Sequence, residues 1–191
     1  KLALAQGFTP FVSDSGEGES SLIGELKSLG INYETGGHHP ENWEKCSTII
    51  KSPGIPDTAS ILKPLREGGS EIISEIEFAS RYTKGKVVAI TGANGKTTTT
   101  ALIHRMLTDS GVDAACVGNI GISWARDIAE RTTPAEVNVV EMSSFQLDGI
   151  TTFRPDIAVL LNITPDHLDR YDNSLENYSA SKWNITSNQI S

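Results

Sequence analysis

The chain has 191 residues, and 16 basic against 24 acidic side chains give it a formal net charge of −8. Its hydrophobic share of 38% and charged share of 21% are typical of a folded globular protein and exclude a disordered or low-complexity chain. The acidic balance argues against general nucleic-acid binding, and no apolar run reaches the roughly 18 residues of a membrane span. Cys46 and Cys116 lack the spacing of a disulfide framework or a zinc site. We therefore expect a soluble, cytoplasmic protein without nucleic-acid partners and without membrane insertion. We also expect a monomer.

Short apolar segments alternate with helical patterns along the whole chain. Strands are predicted at 11–12, 48–50, 72–73, 87–90, 114–117, 137–140 and 157–161. Apolar residues at helical spacing predict helices around 22–29, 61–65 and 102–107, and from Ser174 onward, with Gly30 and Gly111 at C-terminal cap positions. Because the strands are almost continuously apolar, both faces of their sheets should be covered. The order of elements predicts a doubly wound, parallel α/β fold.

A polar, glycine-containing joint at 83–86 precedes the strongest strand. It predicts two α/β units, residues 1–83 and 84–191. Residues 1–7 read as the end of a helix with no strand before it, and the chain stops just after another helix. We therefore expect both units to be incomplete.

A glycine-rich loop follows the strand at 87–90 and precedes a predicted helix. Glycines allow backbone N–H groups to approach phosphate oxygens, the following lysine can reach the β and γ phosphates, and the next threonine can bind Mg²⁺. A full phosphate-loop motif requires glycine at position 90, where this chain has Ile90, so an ordinary glycine turn is the alternative. The predicted nucleotide-binding residues are Gly92, Ala93, Asn94, Gly95, Lys96, Thr97 and Thr98.

Three further residues are candidates for chemistry. Glu141 ends the strand at 137–140, at the sheet edge where ligands bind, although it could be an ordinary solvated acid. His167 follows the strand at 157–161 on the same edge, and a structural histidine is its alternative. Lys182 shares a helical face with Leu175, Tyr178 and Ile185, so it either reaches solvent along its aliphatic stem or has a buried role.

Three segments together resemble the Mur ligases of bacterial cell-wall synthesis: 91–98, 141–147 and 162–171. The runs Ser-Pro-Gly-Ile-Pro at 52–56 and Gly-Asn-Ile-Gly at 118–121 fit the same family. The run Glu-Met-Ser-Ser-Phe-Gln-Leu resembles its D-glutamate-adding branch. The resemblance implies a Rossmann-like UDP-binding domain followed by a P-loop-type, parallel-sheet ATP-binding central domain. It also implies an ATP-dependent amide ligase that joins D-glutamate to UDP-N-acetylmuramoyl-L-alanine through an acyl phosphate, in peptidoglycan precursor synthesis.

The resemblance also assigns residues to roles. It implies that Lys96, His167 and Lys182 are catalytic, that Thr97 and Glu141 hold the Mg²⁺ of ATP, that His167 serves a second Mg²⁺, and that a carbamylated Lys182 helps to organise that ion. Asp14 and Ser15 match the uracil-binding corner, with a simple turn as the alternative for Asp14. The remaining implied substrate contacts are Ser52, Pro53, Gly54, Ile55, Asn119, Ser143 and Gln146. His38, His39 and His104 match nothing and are interpreted as surface residues, and Trp43, Trp124 and Trp183 as packing residues.

The family pattern begins before Lys1 and continues after Ser191, so we expect this chain alone to be inactive. Two alternatives stay open at this point: another Mur ligase that adds a different amino acid, or a nucleotide-binding module without ligase activity. Phosphate release that requires both acceptor and amino acid would distinguish a ligase from such a module.

Overall fold

The computed structural model describes residues 1–56, 58–166 and 168–190. They form two compact units. The first comprises Lys1–Ile49 and the described residues of 58–71, and the second comprises Ile50–Pro56 and the described residues of 72–190. Residues 72–83 thus group with the second unit, and the division of the chain into domains at 83/84 stays a prediction.

The first unit contains one small parallel sheet and three helices. Its elements are α1 (Leu2–Ala5), β1 (Phe11–Ser13), α2 (Ser20–Ser28), β2 (Asn32–Glu34), a 3-10 turn (Pro40–Asn42) and α3 (Leu62–Glu67). β1 and β2 are parallel, with Val12 opposite Tyr33. The strand β2 was not predicted, because its sequence Asn-Tyr-Glu carries no apolar run.

A second two-stranded sheet consists of β3 (Thr48–Lys51) and β4 (Glu71–Ser74), and the boundary between the two units falls within both strands. The rest of the second unit alternates strands and helices: α4 (Glu75–Ser80), β5 (Lys86–Thr91), α5 (Lys96–Asp109), β6 (Ala114–Gly118), α6 (Trp124–Glu130), β7 (Val137–Glu141), α7 (Ser144–Leu147), β8 (Ile157–Leu160), α8 (Leu175–Trp183) and 3-10 turns at Leu168–Tyr171 and Asn184–Thr186. All strands predicted from the sequence are present.

The main sheet of the second unit is parallel, with the strand order β6-β7-β5-β8. Val139 of β7 lies opposite Val88 of β5 and Cys116 of β6, and Val88 lies opposite Ile157 of β8. Because parallel strands end on the same edge, the residues that follow β5, β6, β7 and β8 are brought together there. The predicted parallel α/β fold is confirmed.

Glu77 in α4 anchors the segment that leads into β8. Its carboxylate is fully buried and accepts the N–H groups of Thr151, Thr152 and Phe153 at 2.9–3.0 Å and the Thr152 hydroxyl at 2.6 Å. Arg81 donates to the same carboxylate from Nε and the guanidinium terminus at 3.2 and 3.1 Å. Burial alone would raise the pKa of Glu77, but these hydrogen bonds outweigh it and lower the pKa to about 2.

The core of the second unit lies between its main sheet and the covering helices. Trp124, fully buried, packs edge-to-face against Phe153, with ring centroids 6.1 Å apart. Trp43 is also buried, so the packing interpretation is confirmed for these two tryptophans; it is wrong for Trp183, which is 54% exposed.

Cys46 and Cys116 are free thiols. In the described part of the chain, every helix is too short or too polar to cross a bilayer.

Candidate functional site

The glycine-rich loop connects β5 to α5, as predicted. Gly95 lies at the N-cap of α5 with a φ of +84°, in the left-handed region that glycine adopts without strain, and no side chain caps the helix there. The first N–H groups of a helix have no acceptor within it, so those of Lys96, Thr97 and Thr98 point out of the helix end. Such an end, with its partial positive charge, can bind phosphate.

Lys96 lies across this loop. Its Nζ donates to the backbone carbonyls of Gly92 at 2.8 Å and Ala93 at 2.9 Å. The ammonium group is therefore held over the loop by two carbonyl oxygens. Phosphate oxygens carry more negative charge than carbonyl oxygens, so a bound polyphosphate can attract the same ammonium group from this position.

The carboxylate of Glu141 lies at the end of β7 next to the loop. Its Oε2 accepts the Thr97 hydroxyl at 2.9 Å and its Oε1 accepts the Asn119 side-chain amide at 3.0 Å. Glu141 is 1% exposed, so the interpretation of a solvated strand-end acid is wrong. The close approach of β6 requires Gly118, because a Cβ there would lie 2.2 Å from the backbone oxygen of Glu141.

Thr97 and Glu141 fit a magnesium ion. Mg²⁺ prefers oxygen ligands and is usually held by one or two carboxylates together with phosphate oxygens. Here a hydroxyl oxygen and a carboxylate oxygen already meet beside the loop. Within 1–56, 58–166 and 168–190 no group of three or more His, Cys, Asp and Glu side chains is placed to hold a metal. His167 lies outside the described residues.

Lys182 of α8 is buried against the same loop. It is only 2% exposed, so it does not reach solvent, and its Nζ donates to the Gly92 carbonyl at 2.9 Å. The Nζ also lies 4.6 Å from the centroid of the Tyr178 ring. Burial, and secondarily the positive charge of Lys96, lower the pKa of Lys182 to about 8. Leu175, expected on the same buried face, is instead 43% exposed.

Ser143 and Gln146, expected to contact substrate, are bonded to each other at the start of α7. The Ser143 hydroxyl accepts the Gln146 N–H at 3.4 Å, and the Gln146 side-chain oxygen accepts the Ser143 N–H at 3.0 Å, which forms a capping box. The two side chains thus have a local structural role in this structure. Their contact with substrate stays a prediction.

Arg170 was not singled out from the sequence, although it lies in the 162–171 segment. Its guanidinium donates to the carbonyls of Pro53 at 2.8 Å and Gly54 at 3.1 Å and lies 4.2 Å from the centroid of the Phe145 ring. Lys51 donates from Nζ to the Ile55 carbonyl at 2.7 Å in the same loop. Two cationic side chains therefore fix the 52–55 loop. Sequence spacing gives no signal for contacts between such distant segments.

In the first unit, Asp14 and Ser15 follow β1. The Asp14 side chain accepts the N–H of Gly16 at 2.8 Å, as in the turn that was its alternative interpretation. Beside them, Glu34 accepts the Ser13 hydroxyl at 2.6 Å and the Trp43 indole N–H at 2.7 Å. Burial would raise the pKa of Glu34, but its hydrogen bonds, led by the His39 N–H, lower it to about 2.

The interpretation of the unmatched histidines as surface residues is wrong for two of them. His38 is half-buried, with Nδ1 2.6 Å from the Ser13 hydroxyl, and His104 is half-buried, with Nε2 3.2 Å from the Ala114 carbonyl oxygen. The His39 side chain is mostly exposed, as expected.

Comparison with known proteins connects this site to one family. The profile of the family described as "Mur ligase middle domain" matches residues 90–191, which is more than half of the chain. The chain is 49% identical over 190 residues to the UDP-N-acetylmuramoylalanine–D-glutamate ligase of Bacteroides fragilis and 50% identical over 189 residues to that of Cytophaga hutchinsonii. The two matches cover 100% and 98% of this chain but only 42% of each relative. The chain therefore spans about two fifths of the length of these relatives.

Solved structures show the same fold at lower identity. The UDP-N-acetylmuramate:L-alanyl-γ-D-glutamyl-meso-diaminopimelate ligase of Neisseria meningitidis is similar over 99% of this chain and 63% of its own, with a TM-score of 0.64 and 19% identity. The UDP-N-acetylmuramate–alanine ligase of Thermotoga maritima is similar over 97% of this chain and 43% of its own, with a TM-score of 0.58 and 24% identity. The region that matches the family profile includes the glycine-rich loop, Glu141 and Lys182. This match shows that the chain belongs to the Mur ligase family and carries its middle domain.

Proposed function

We propose that this chain is the part of an ATP-dependent ligase that binds ATP and joins D-glutamate to the alanine carboxylate of UDP-N-acetylmuramoyl-L-alanine. The observation that carries the proposal is the convergence of Lys96, Thr97, Glu141 and Lys182 at one edge of the main sheet. The choice of D-glutamate is supported by relatives of about half-identical sequence that are named for that reaction.

The reaction proceeds in two steps in this proposal. A carboxylate oxygen of the alanine attacks the γ-phosphorus of ATP, a P–O bond to ADP breaks, and an acyl phosphate forms. The amine of D-glutamate then attacks the acyl carbon, loses a proton, and expels inorganic phosphate from the tetrahedral intermediate. Both reactants of the first step are anions, so the site must supply positive charge where they meet.

The chain supplies that charge from named groups. Lys96, already positioned over the loop, stabilises the charge on the β and γ phosphates, and the N–H groups at the start of α5 bind phosphate oxygens. Thr97 and Glu141 would hold a Mg²⁺ ion, which when bound neutralises part of the triphosphate charge. His167 is proposed to serve a second Mg²⁺ on the basis of the family resemblance.

A carbamylated Lys182 is also part of the proposal. The pKa of about 8 leaves a minor fraction of the amine uncharged at neutral pH, and only the uncharged amine attacks the carbon of CO₂. A new N–C bond forms, the nitrogen loses a proton, and the cation becomes an anion. A carbamate resonance with ¹³CO₂ that disappears in Lys182→Met would support this assignment, and identical spectra would contradict it.

The substrate contacts are proposed for the 52–55 loop, Asn119, Ser143 and Gln146 in the second unit, and for Asp14 and Ser15 in the first. The 52–55 loop accepts hydrogen bonds from Arg170 and Lys51, which restrain its backbone as a binding loop requires. A monomeric state and a cytoplasmic location complete the proposal, and the free Cys46 and Cys116 fit a reducing compartment.

The test is phosphate release by the full-length protein. Release should require ATP, UDP-N-acetylmuramoyl-L-alanine and D-glutamate together, and L-alanine, meso-diaminopimelate or L-lysine should not replace D-glutamate. Release with ATP alone would instead indicate a nucleotide hydrolase without ligase activity, and turnover with another amino acid would indicate a different member of the family. The 191-residue chain alone should bind nucleotide without ligation.

A further inference from the structure

The glycine-rich loop is held from the side by the segment that follows β8. The backbone oxygen of Asn162 accepts the Ala93 N–H at 3.0 Å, and its side-chain oxygen accepts the Asn94 N–H at 2.9 Å. The Asn162 side-chain amide donates back to the Asn94 carbonyl at 3.0 Å. In addition, the Asn94 side chain donates to the Thr164 hydroxyl at 3.1 Å. Four hydrogen bonds therefore join two loops that lie far apart in the sequence.

This contact decides which loop donors remain for a ligand. Ala93 and Asn94 use their N–H groups on Asn162, so they do not face a phosphate in this arrangement. The donors that remain include the N–H groups of Lys96, Thr97 and Thr98 at the start of α5. Asn162 thereby holds the loop that precedes these donors and whose Gly92 and Ala93 carbonyls accept from the Lys96 ammonium.

Asparagine suits this position chemically, because one side chain must accept from an N–H and donate to a carbonyl at the same time. A carboxylate could only accept, and an apolar side chain could do neither. The loop also lies close against the same segment, since a Cβ on Gly92 would be 3.0 Å from the Leu161 Cβ. The fit of the loop against 161–164 is therefore both polar and steric.

We propose that Asn162 is a positioning residue for the polyphosphate of the nucleotide: it holds the Ala93–Asn94 part of the loop so that the α5 N–H groups and Lys96 face the phosphates. This inference rests on the proposed nucleotide binding. Asn162 does not touch the reacting atoms. Without Asn162, the loop also populates other conformations. The apparent affinity for the nucleotide is then reduced in proportion to the fraction of molecules that keep the binding conformation.

The experiment titrates ADP and adenosine into the full-length protein and into its Asn162→Ala variant. We expect ADP to bind the variant about tenfold more weakly, with adenosine affinity unchanged, because only ADP presents phosphates to the loop. Asn188→Ala is the matched control: Asn188 also donates to two backbone carbonyls, those of Thr151 at 3.1 Å and Phe153 at 2.9 Å, and its loss should leave both affinities unchanged.

Amide hydrogen exchange measured without nucleotide provides a second readout. The Asn94 N–H should exchange faster in Asn162→Ala than in the unmodified chain and the Asn188→Ala control. If that exchange accelerates but ADP affinity does not change, Asn162 orders the loop without positioning phosphate, and the inference is wrong. Equal weakening of ADP and adenosine would also overturn it. If the unmodified full-length protein binds no ADP at any concentration, the proposed function fails together with the inference, an outcome distinct from the other two.

Discussion

Replacing Glu77 by glutamine should destabilise the second unit strongly and in a pH-dependent way. The carboxylate is fully buried and accepts three backbone N–H groups, a hydroxyl and a guanidinium. A glutamine amide presents an NH₂ group to some of these donors, so at least one N–H loses its acceptor. Buried donors without acceptors cost about 1–3 kcal/mol each.

The pKa gives an independent estimate of the size of this effect. A carboxyl group whose pKa falls from 4.5 in the unfolded chain to about 2 in the fold contributes about 3 kcal/mol of stability at neutral pH. Because the folded pKa is the lower one, this contribution is complete above the unfolded pKa and is lost as the pH falls from about 5 toward 2. At pH 3 less than about half of it should remain.

The assay is urea unfolding of the chain and of Glu77→Gln at pH 7 and at pH 3, followed by the indole resonance of Trp124, which is buried beside Phe153. At pH 7 the variant's midpoint should fall by roughly 1–3 M urea, given typical denaturant slopes. At pH 3 the difference between the two proteins should shrink by half or more. Glu136→Gln, at an exposed glutamate, is the control and should change stability by less than about 0.5 kcal/mol. An equal loss at both pH values would refute the assignment of the effect to the Glu77 charge.

Three further changes test the site. Lys96→Ala should abolish acyl phosphate formation in the full-length protein and weaken ADP binding at least tenfold by calorimetry, with an unchanged circular dichroism spectrum; normal turnover would remove Lys96 from the mechanism. Lys182→Met should remove a pH dependence of the folding stability. The pKa of Lys182 in the folded chain, about 8, lies below the ordinary 10.5, so the stability of the unmodified chain should rise between about pH 8 and 10.5. A variant whose stability changes with pH by the same slope would contradict this. In Arg170→Lys the lysine cannot keep both carbonyl contacts. The KM for the UDP substrate should therefore rise about 5- to 20-fold while the KM for ATP stays nearly constant. Equal changes in both KM values would argue against a role of Arg170 in the 52–55 loop.

Much of the local structure could be predicted from the sequence, because it depends on short-range patterns. Short runs rich in β-branched residues predict strands such as β5 and β7. Ser174 does cap α8, where its hydroxyl accepts the Asn177 N–H. The phosphate-type loop could be predicted for the same reason, because Gly95 is followed by Lys96 and Thr97 shortly after a strand. The strand β2 escaped this reasoning because its polar residues take their place through pairing with β1.

By itself, the sequence determined the order of elements, the loop at 92–95 and the presence of Glu141 at a strand end, since hydrophobic periodicity, glycine and strand ends act over a few residues. Only the tertiary structure decided that Lys182 bonds Gly92 across 90 residues, that Arg170 reaches Pro53 across 117, and that Asn162 holds Asn94 across 68. Such contacts depend on how parallel strands are ordered in a sheet and on which helix face is covered. No spacing along one chain encodes these distances, because they arise only when separate elements pack against each other.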